Sequence, residues 1–252
     1  MRMTKEGEIN YLKKIGEAGI KHAVEKPFSD VGCGGLLSEI AAIISLLPLP
    51  PQKILDIGCG TGWTSRFLAK RGYDVIGIDI SPDMIKYANM KKSEEKIKNL
   101  KFFVSDYENI TFDNEFDCVI FFDSLHHADN EKKTIKNAYN SLKFGGVCIF
   151  SEPGKGHKNT KNSINAVRKY NVNEKDMPPN LLIKYGRKAG FKKFKIFPKP
   201  KFVNTLLYNV DFSWINSKIY ENFLKIKFIR TFAIFLSIIF KKYSYGIVLM
   251  VK

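Results

Sequence analysis

Ile54-Leu55-Asp56-Ile57-Gly58-Cys59-Gly60-Thr61-Gly62-Trp63 is the stretch on which the reading of this chain turns. An apolar run stops at Gly58. Glycine then alternates through Gly60 and Gly62 before a helix-compatible segment begins. Glycine permits a tight turn and has no Cβ to hold a ligand away from the backbone. Nucleotide-binding folds of several kinds share such a loop, so the next acid matters. Asp79 lies 21 positions after Gly58, at the end of a second apolar run. A carboxylate there can accept hydrogen bonds from a ribose diol.

On either side of this loop the pattern alternates. Short apolar runs predict strands at Lys53–Ile57, Asp74–Ile80, Leu100–Ser105, Asp117–Phe122, Val147–Ser151, Phe191–Phe197 and Gly246–Val251. Helical spacing fits Thr64–Lys70, a helix begun at Pro82 with Ser81 as N-cap, Glu131–Lys143, and Asn180–Ala189 before Gly190. This alternation predicts an α/β fold with a mainly parallel sheet and helices on both faces. The continuous run Val119-Ile120-Phe121-Phe122 fits a strand buried on both sides. Before the first strand, Ile9, Leu12 and Ile15 recur at helical spacing, and a second helix over Leu36–Leu47 is stopped by Pro48, Pro50 and Pro51.

Asp56 separates two ligand classes. It stands two residues before the first loop glycine. A dinucleotide would bring its pyrophosphate onto this loop, where a carboxylate repels it. S-adenosylmethionine brings an ammonium and a sulfonium, which a carboxylate favours. Three further segments agree: Ser105-Asp106-Tyr107, the run Phe116–Asp123 leading into Ser124-Leu125-His126-His127, and Leu142-Lys143-Phe144-Gly145-Gly146-Val147. With the glycine loop and Asp79 they resemble the class I S-adenosylmethionine-dependent methyltransferases, over about residues 52–152.

The resemblance implies a Rossmann-like seven-stranded sheet in the order 3-2-1-4-5-7-6, with strand seven antiparallel. It implies one methyltransferase domain over 1–252: an N-terminal helical lid over 1–50, a cofactor-binding core over 52–152, and a basic aromatic insertion over 199–244 between strands six and seven. Carried over by position, Asp56, Gly58, Gly60 and Gly62 cradle the methionine part of S-adenosylmethionine. Asp79 takes the ribose, and Met84 packs near the adenine. Asp106 meets the adenine amine with Tyr107 beside it, and Asp123 opens the segment facing the methyl group. If the lid folds over the cofactor, Phe28, Ser29, Asp30 and Gly32 come near it. The segment Asp123-Ser124-Leu125-His126 departs from the Asn/Asp-Pro-Pro-aromatic motif of enzymes that methylate nucleic-acid amines or protein amides. It looks more like the branch acting on small molecules, lipids or quinones.

The chemistry needs an acceptor aligned with the S–CH3 bond at roughly 3–3.5 Å. A hydroxyl acceptor also gains from a nearby base. The imidazoles of His126, His127 and His157 are the catalytic candidates, because neutral imidazole is basic near pH 7; Glu152 and Tyr107 stand behind them. These histidines tilt the expectation toward O-methylation. A packing or loop-bonding role competes for each, and His22 reads as a structural or lid contact. No pair of histidines or cysteines shows metal-ligand spacing, so no metal is expected.

The charge concerns the partner. The chain has 252 residues and a formal net charge of +16. Most of the excess lies in 184–252, whose only acids are Asp211 and Glu221. Phe223, Ile226, Phe228, Phe232, Phe235 and Phe240 alternate there with Lys225, Lys227, Arg230, Lys241 and Lys242. A roof over the substrate pocket, an interfacial helix on anionic lipid over 223–242 and an RNA-binding face all fit this pattern, with RNA ranked last. Cys33, Cys59, Cys118 and Cys148 read as buried reduced thiols. The longest apolar-leaning run, Thr231–Phe240, is about half of the roughly 20 residues a bilayer span needs. The expectation is a cytoplasmic enzyme, at most peripheral at the inner membrane surface, acting on a small-molecule, lipid-linked or glycan acceptor. An RNA methyltransferase and a non-catalytic cofactor-binding module are the rivals.

Overall fold

A computed structural model describes residues 5–201, 203–204 and 226–252. The chain runs α1 (Glu6–Ile9), α2 (Tyr11–Val24), α3 (Cys33–Leu46), β1 (Lys53–Ile57), α4 (Trp63–Arg71), β2 (Asp74–Asp79), α5 (Pro82–Glu94), β3 (Leu100–Val104) and β4 (Phe116–Phe122). It continues through α6 (Glu131–Ser141), β5 (Leu142–Ser151), α7 (Lys161–Tyr170), α8 (Pro179–Ala189), β6 (Lys193–Phe197), α9 (Lys227–Leu236) and β7 (Ile247–Val251). The strands form one seven-stranded sheet in the order β3-β2-β1-β4-β5-β7-β6. The pairs from β3 through β5 are parallel, and β7 lies antiparallel between β5 and β6. This is the topology the resemblance implied.

The sheet is covered on both faces. On one, Ile40 and Ile43 of α3, Leu68 of α4 and Ile85 of α5 pack with Ile54, Val75 and Ile120. On the other, Ile135 and Ala138 of α6 and Leu182 of α8 pack with Leu55, Phe121 and Phe150. Phe121 and Phe150 stack face to face at 4.9 Å between centroids. Burying each such side chain contributes about 1.5–3 kcal/mol. Central strands enclosed this way have no solvated face, which is why β4 reads as one apolar run.

Two elements differ from the sequence expectation. Helix α6 stops at Ser141, and β5 begins at Leu142, which pairs with Phe116 at the foot of β4. Gly145, at φ +78, and an irregular register then carry β5 into Val147. Leu142 therefore starts a strand in a place where local spacing continues a helix. Helix α7 was not anticipated, because few of its residues are apolar. Its start is marked by Thr160, whose hydroxyl accepts from Ser163 N at 3.2 Å.

The N-terminal helices lie over the C-terminal ends of the central strands. The Thr61 hydroxyl donates to the Ala23 carbonyl at 2.6 Å, and the Ser81 hydroxyl donates to the Ile9 carbonyl at 3.1 Å. Of the basic aromatic segment, Phe223 and Lys225 lie outside the described residues, while Phe228, Phe232, Phe235 and Phe240 are exposed. No described helix is long and apolar enough to cross a membrane.

Candidate active site

Where β1 ends, the chain must turn sharply to enter α4. Gly58 sits at φ +71, and a Cβ there would lie 2.4 Å from Ser124 Cβ. Gly62 sits at φ +77, and a Cβ there would meet the Phe102 ring at 2.4 Å. Only glycine satisfies both the left-handed backbone and the close approach. Gly60 opens outward: a Cβ there would have only Met84 Sδ, at 4.0 Å, as a neighbour. Gly58 and Gly60 line the space a ligand would take, whereas Gly62, expected to cradle the ligand, faces Phe102 and Ala88 and does not line it.

A cavity of about 500 Å³ runs from this loop to the underside of α2 and α7. Gly58, Gly60, Asp79, Met84, Tyr107 and Asp123 line it. Asp79 closes β2 and braces the glycine loop: its Oδ2 accepts from Gly60 N and its Oδ1 from Ser81 N, each at 2.9 Å. Burial pushes its carboxyl up to about 6, against the pull of those two N–H donors. The Tyr107 hydroxyl points at the Ser124 carbonyl, 3.5 Å away. Asp123 holds a left-handed backbone, φ +47, at the exit of β4.

Asp56 and Asp106 are placed differently from the sequence expectation. Neither lines the cavity. Asp56 is buried beneath the loop, and its Oδ2 accepts from Thr64 Oγ1 at 2.6 Å and Ser65 Oγ at 2.5 Å. It pins the first turn of α4, and burial pushes its carboxyl up against the pull of those two hydroxyl donors. Asp106 is covered by Lys5, whose Nζ lies 2.5 Å from its Oδ2, and also accepts from Glu108 N and Asn109 Nδ2. Phe28 points into solvent, and Asp30 accepts from Gly32 N within its own turn. Trp63 lines the cavity while packing edge-on against Phe67 and Phe122.

The cavity is lined as well by Glu8, Tyr11, His127, Tyr170, Val172 and Glu174. Of the three candidate catalytic imidazoles only His127 faces it. His127 Nδ1 lies 2.6 Å from the Asn173 carbonyl and 3.3 Å from Glu8 Oε1. Burial alone would lower its proton affinity, but Glu8 and Glu174 outweigh that and hold it at about 9. His126 is buried behind it, its rings 4.0 Å from those of His127. Its Nδ1 meets Glu152 Oε2 at 2.9 Å, and burial keeps it neutral, with a pKa well below the usual histidine value. His157 sits to one side, Nε2 at 2.5 Å from Glu174 Oε2. Glu152 is no free base: it accepts from the N–H groups of Ser124, Leu125 and His126.

Sequence reasoning missed Glu8, Tyr11, Tyr170 and Glu174. Helical spacing on Leu12 and Ile15 could have placed Tyr11 and Glu8 near one surface. Nothing local marks Glu174, which reaches the site from the loop between α7 and α8. It also missed a network in which buried Lys199 Nζ contacts buried Glu39 Oε1 at 2.8 Å, Ser151 Oγ donates to the same oxygen, and the exposed Asp123 lies 3.8 Å from the ammonium.

Comparisons with known proteins bear on this site. A methyltransferase-domain family matches residues 55–150. Phosphoethanolamine N-methyltransferase 2 of Caenorhabditis elegans is 36% identical over 110 residues, 43% of this chain and 25% of that protein. The ubiquinone biosynthesis O-methyltransferase of Coxiella burnetii is 32% identical over 113 residues, 44% of this chain and 48% of that protein. The chain spans between about a quarter and about half the length of the curated relatives it matches. Among solved structures, Haemonchus contortus phosphoethanolamine N-methyltransferase 2 in complex with S-adenosyl-L-methionine superposes with a TM-score of 0.66 at 20% identity, covering 96% of this chain and 59% of that one. That likeness is one of fold.

Proposed function

We propose a function for a chain that belongs to the class I S-adenosylmethionine-dependent methyltransferases: methyl transfer to the oxygen of a small-molecule acceptor. One observation carries it. A single cavity is lined both by the glycine loop with its ribose-type carboxylate and by a polar, aromatic group that includes Glu8, Tyr11, His127, Tyr170 and Glu174.

The residues fit the cofactor. The Gly60 backbone opens into the cavity, and Asp79 faces the same space with a carboxylate suited to a diol. Met84 and Tyr107 would flank the base, and Asp56 holds the start of α4 beneath the loop through Thr64 and Ser65. When bound, the cofactor supplies an electrophilic methyl group on sulfur. The protein then has to position the acceptor and keep water out, and α2 roofs the cavity with Tyr11, Ile15 and Gly19.

The choice of oxygen rests on the acids. The imidazoles first invoked for it are engaged elsewhere, and His127 carries its proton at neutral pH, so it donates a hydrogen bond to the acceptor. Glu174 faces the same chamber and can accept from a hydroxyl, leaving a lone pair free. An amine between Glu8 and Glu174 would be held as ammonium, its lone pair blocked. The proposal extends to place: a cytoplasmic enzyme whose exposed Phe228, Phe232 and Phe235 on α9 rest on anionic lipid. Co-sedimentation with phosphatidylglycerol vesicles tests that contact, and equal recovery with neutral vesicles counts against it.

The acceptor is tested by incubating the protein with methyl-labelled cofactor and a metabolite extract fractionated into small-molecule, lipid, glycan and RNA pools. Label in a methyl ether of the small-molecule or lipid pool supports the proposal. Label confined to RNA, lost with rising salt, would replace it with the nucleic-acid reading. Label on amines alone would remove the oxygen assignment.

A further inference from the structure

Beside the acceptor chamber, His126, His127 and Glu174 each offer a ligand atom, all within 4.8 Å of one another. Sequence spacing suggested no metal, since Glu174 comes from a distant loop. Three features separate this group from an ordinary polar cluster.

First, the ring orientations are fixed from behind. His126 Nδ1 is engaged by Glu152 at 2.9 Å, and His127 Nδ1 by the Asn173 carbonyl at 2.6 Å. Each imidazole is thereby left with Nε2 as its ligand atom. A carboxylate or carbonyl on the far nitrogen is the arrangement that orients metal-binding histidines. Second, the carboxylate is held too: His157 Nε2 lies 2.5 Å from Glu174 Oε2, and Ser163 Oγ donates to the same oxygen at 3.2 Å. Third, His126 Nε2 is already 4.0 Å from Glu174 Oε2. A zinc ion with ligands at about 2.0–2.1 Å needs donor atoms roughly 3.3 Å apart, so the three side chains would draw together from their present spacing while the imidazoles keep their Nδ1 contacts.

We propose that His126 Nε2, His127 Nε2 and Glu174 form a binding site for a divalent first-row transition metal, of the zinc type. Two histidines and one carboxylate give three protein ligands, and the coordination position left over opens on the cavity, since His127 and Glu174 both line it. Glu8, facing the same group, adds negative charge. A bound ion would displace the proton on His127 and engage Glu174, so it would take over from those two side chains the contact to the acceptor oxygen proposed above. The site itself does not depend on the identity of the acceptor.

The test uses the full chain without a histidine tag, treated with EDTA and dialysed, then titrated with Co(II) in place of zinc. The expected result is one equivalent bound, with a visible d–d band that one equivalent of zinc removes. Glu174→Gln and His127→Ala should each weaken Co(II) binding at least tenfold and abolish the band, with circular dichroism reporting that both variants are folded. Should either variant not fold, the wild-type stoichiometry and band still decide. Absence of stoichiometric binding, or a band of equal strength in folded variants, overturns the site. S-adenosylhomocysteine binding by the EDTA-treated chain is measured alongside. Its persistence without a metal site would leave the methyltransferase reading intact.

Discussion

Asp79 carries the largest single consequence at the scale of the residue. It braces Gly60 and Ser81 and faces the cavity. Asp79→Ala is expected to weaken S-adenosylhomocysteine binding at least tenfold, about 1.4 kcal/mol or more, measured by calorimetry. The pH dependence has a definite sign. Burial raises this carboxyl to about 6, so lowering the pH through 6 protonates it and would remove the acceptor proposed for the ribose hydroxyls. Affinity should be flat above about pH 7 and fall below pH 6, and the fall should vanish in Asp79→Ala. A fall of equal size in the variant would assign it to another group. Asp79 was legible in the sequence because its spacing from Gly58 is set by one helix and one strand. Asp106 was legible as a position but not as an environment: Lys5, from the far end of the chain, covers it.

Among the elements, the turn after β4 depends on a single buried side chain. Glu152, at the end of β5, accepts three successive backbone N–H groups at the start of the short helix Leu125–His127, and His126 Nδ1 besides. Removing it leaves buried donors without partners, at about 1–3 kcal/mol each. With three such N–H groups orphaned, Glu152→Ala should lower stability by roughly 3 kcal/mol or more in chemical denaturation. A loss under 1 kcal/mol would show that the turn is held otherwise. The strands of the central sheet were legible because burial on both faces writes an unbroken apolar run. Helix α7 was not, and it contributes Ala166 and Tyr170 to the cavity. Its few apolar residues need only one face to pack, and hydroxyl capping by Thr160 is a local event without a strong pattern.

For the whole molecule, the fold and the glycine-loop end of the cavity follow from local patterns repeated along residues 53–151. The acceptor end does not. It is assembled from α1 and α2, the turn after β4, and the loop between α7 and α8. Such long-range convergence is written in tertiary packing and leaves no spacing to read. The net charge of +16 divides in the same way: the cofactor half brings buried acids, and the basic excess falls on the C-terminal segment with its exposed aromatic rings.

Calorimetric titration of the chain with S-adenosylhomocysteine and, separately, with NADH decides between the two ligand classes. Saturable one-to-one binding of S-adenosylhomocysteine is expected, lost or weakened at least tenfold in Asp79→Ala, with no saturable binding of NADH. Tight NADH binding with no response to S-adenosylhomocysteine would contradict it.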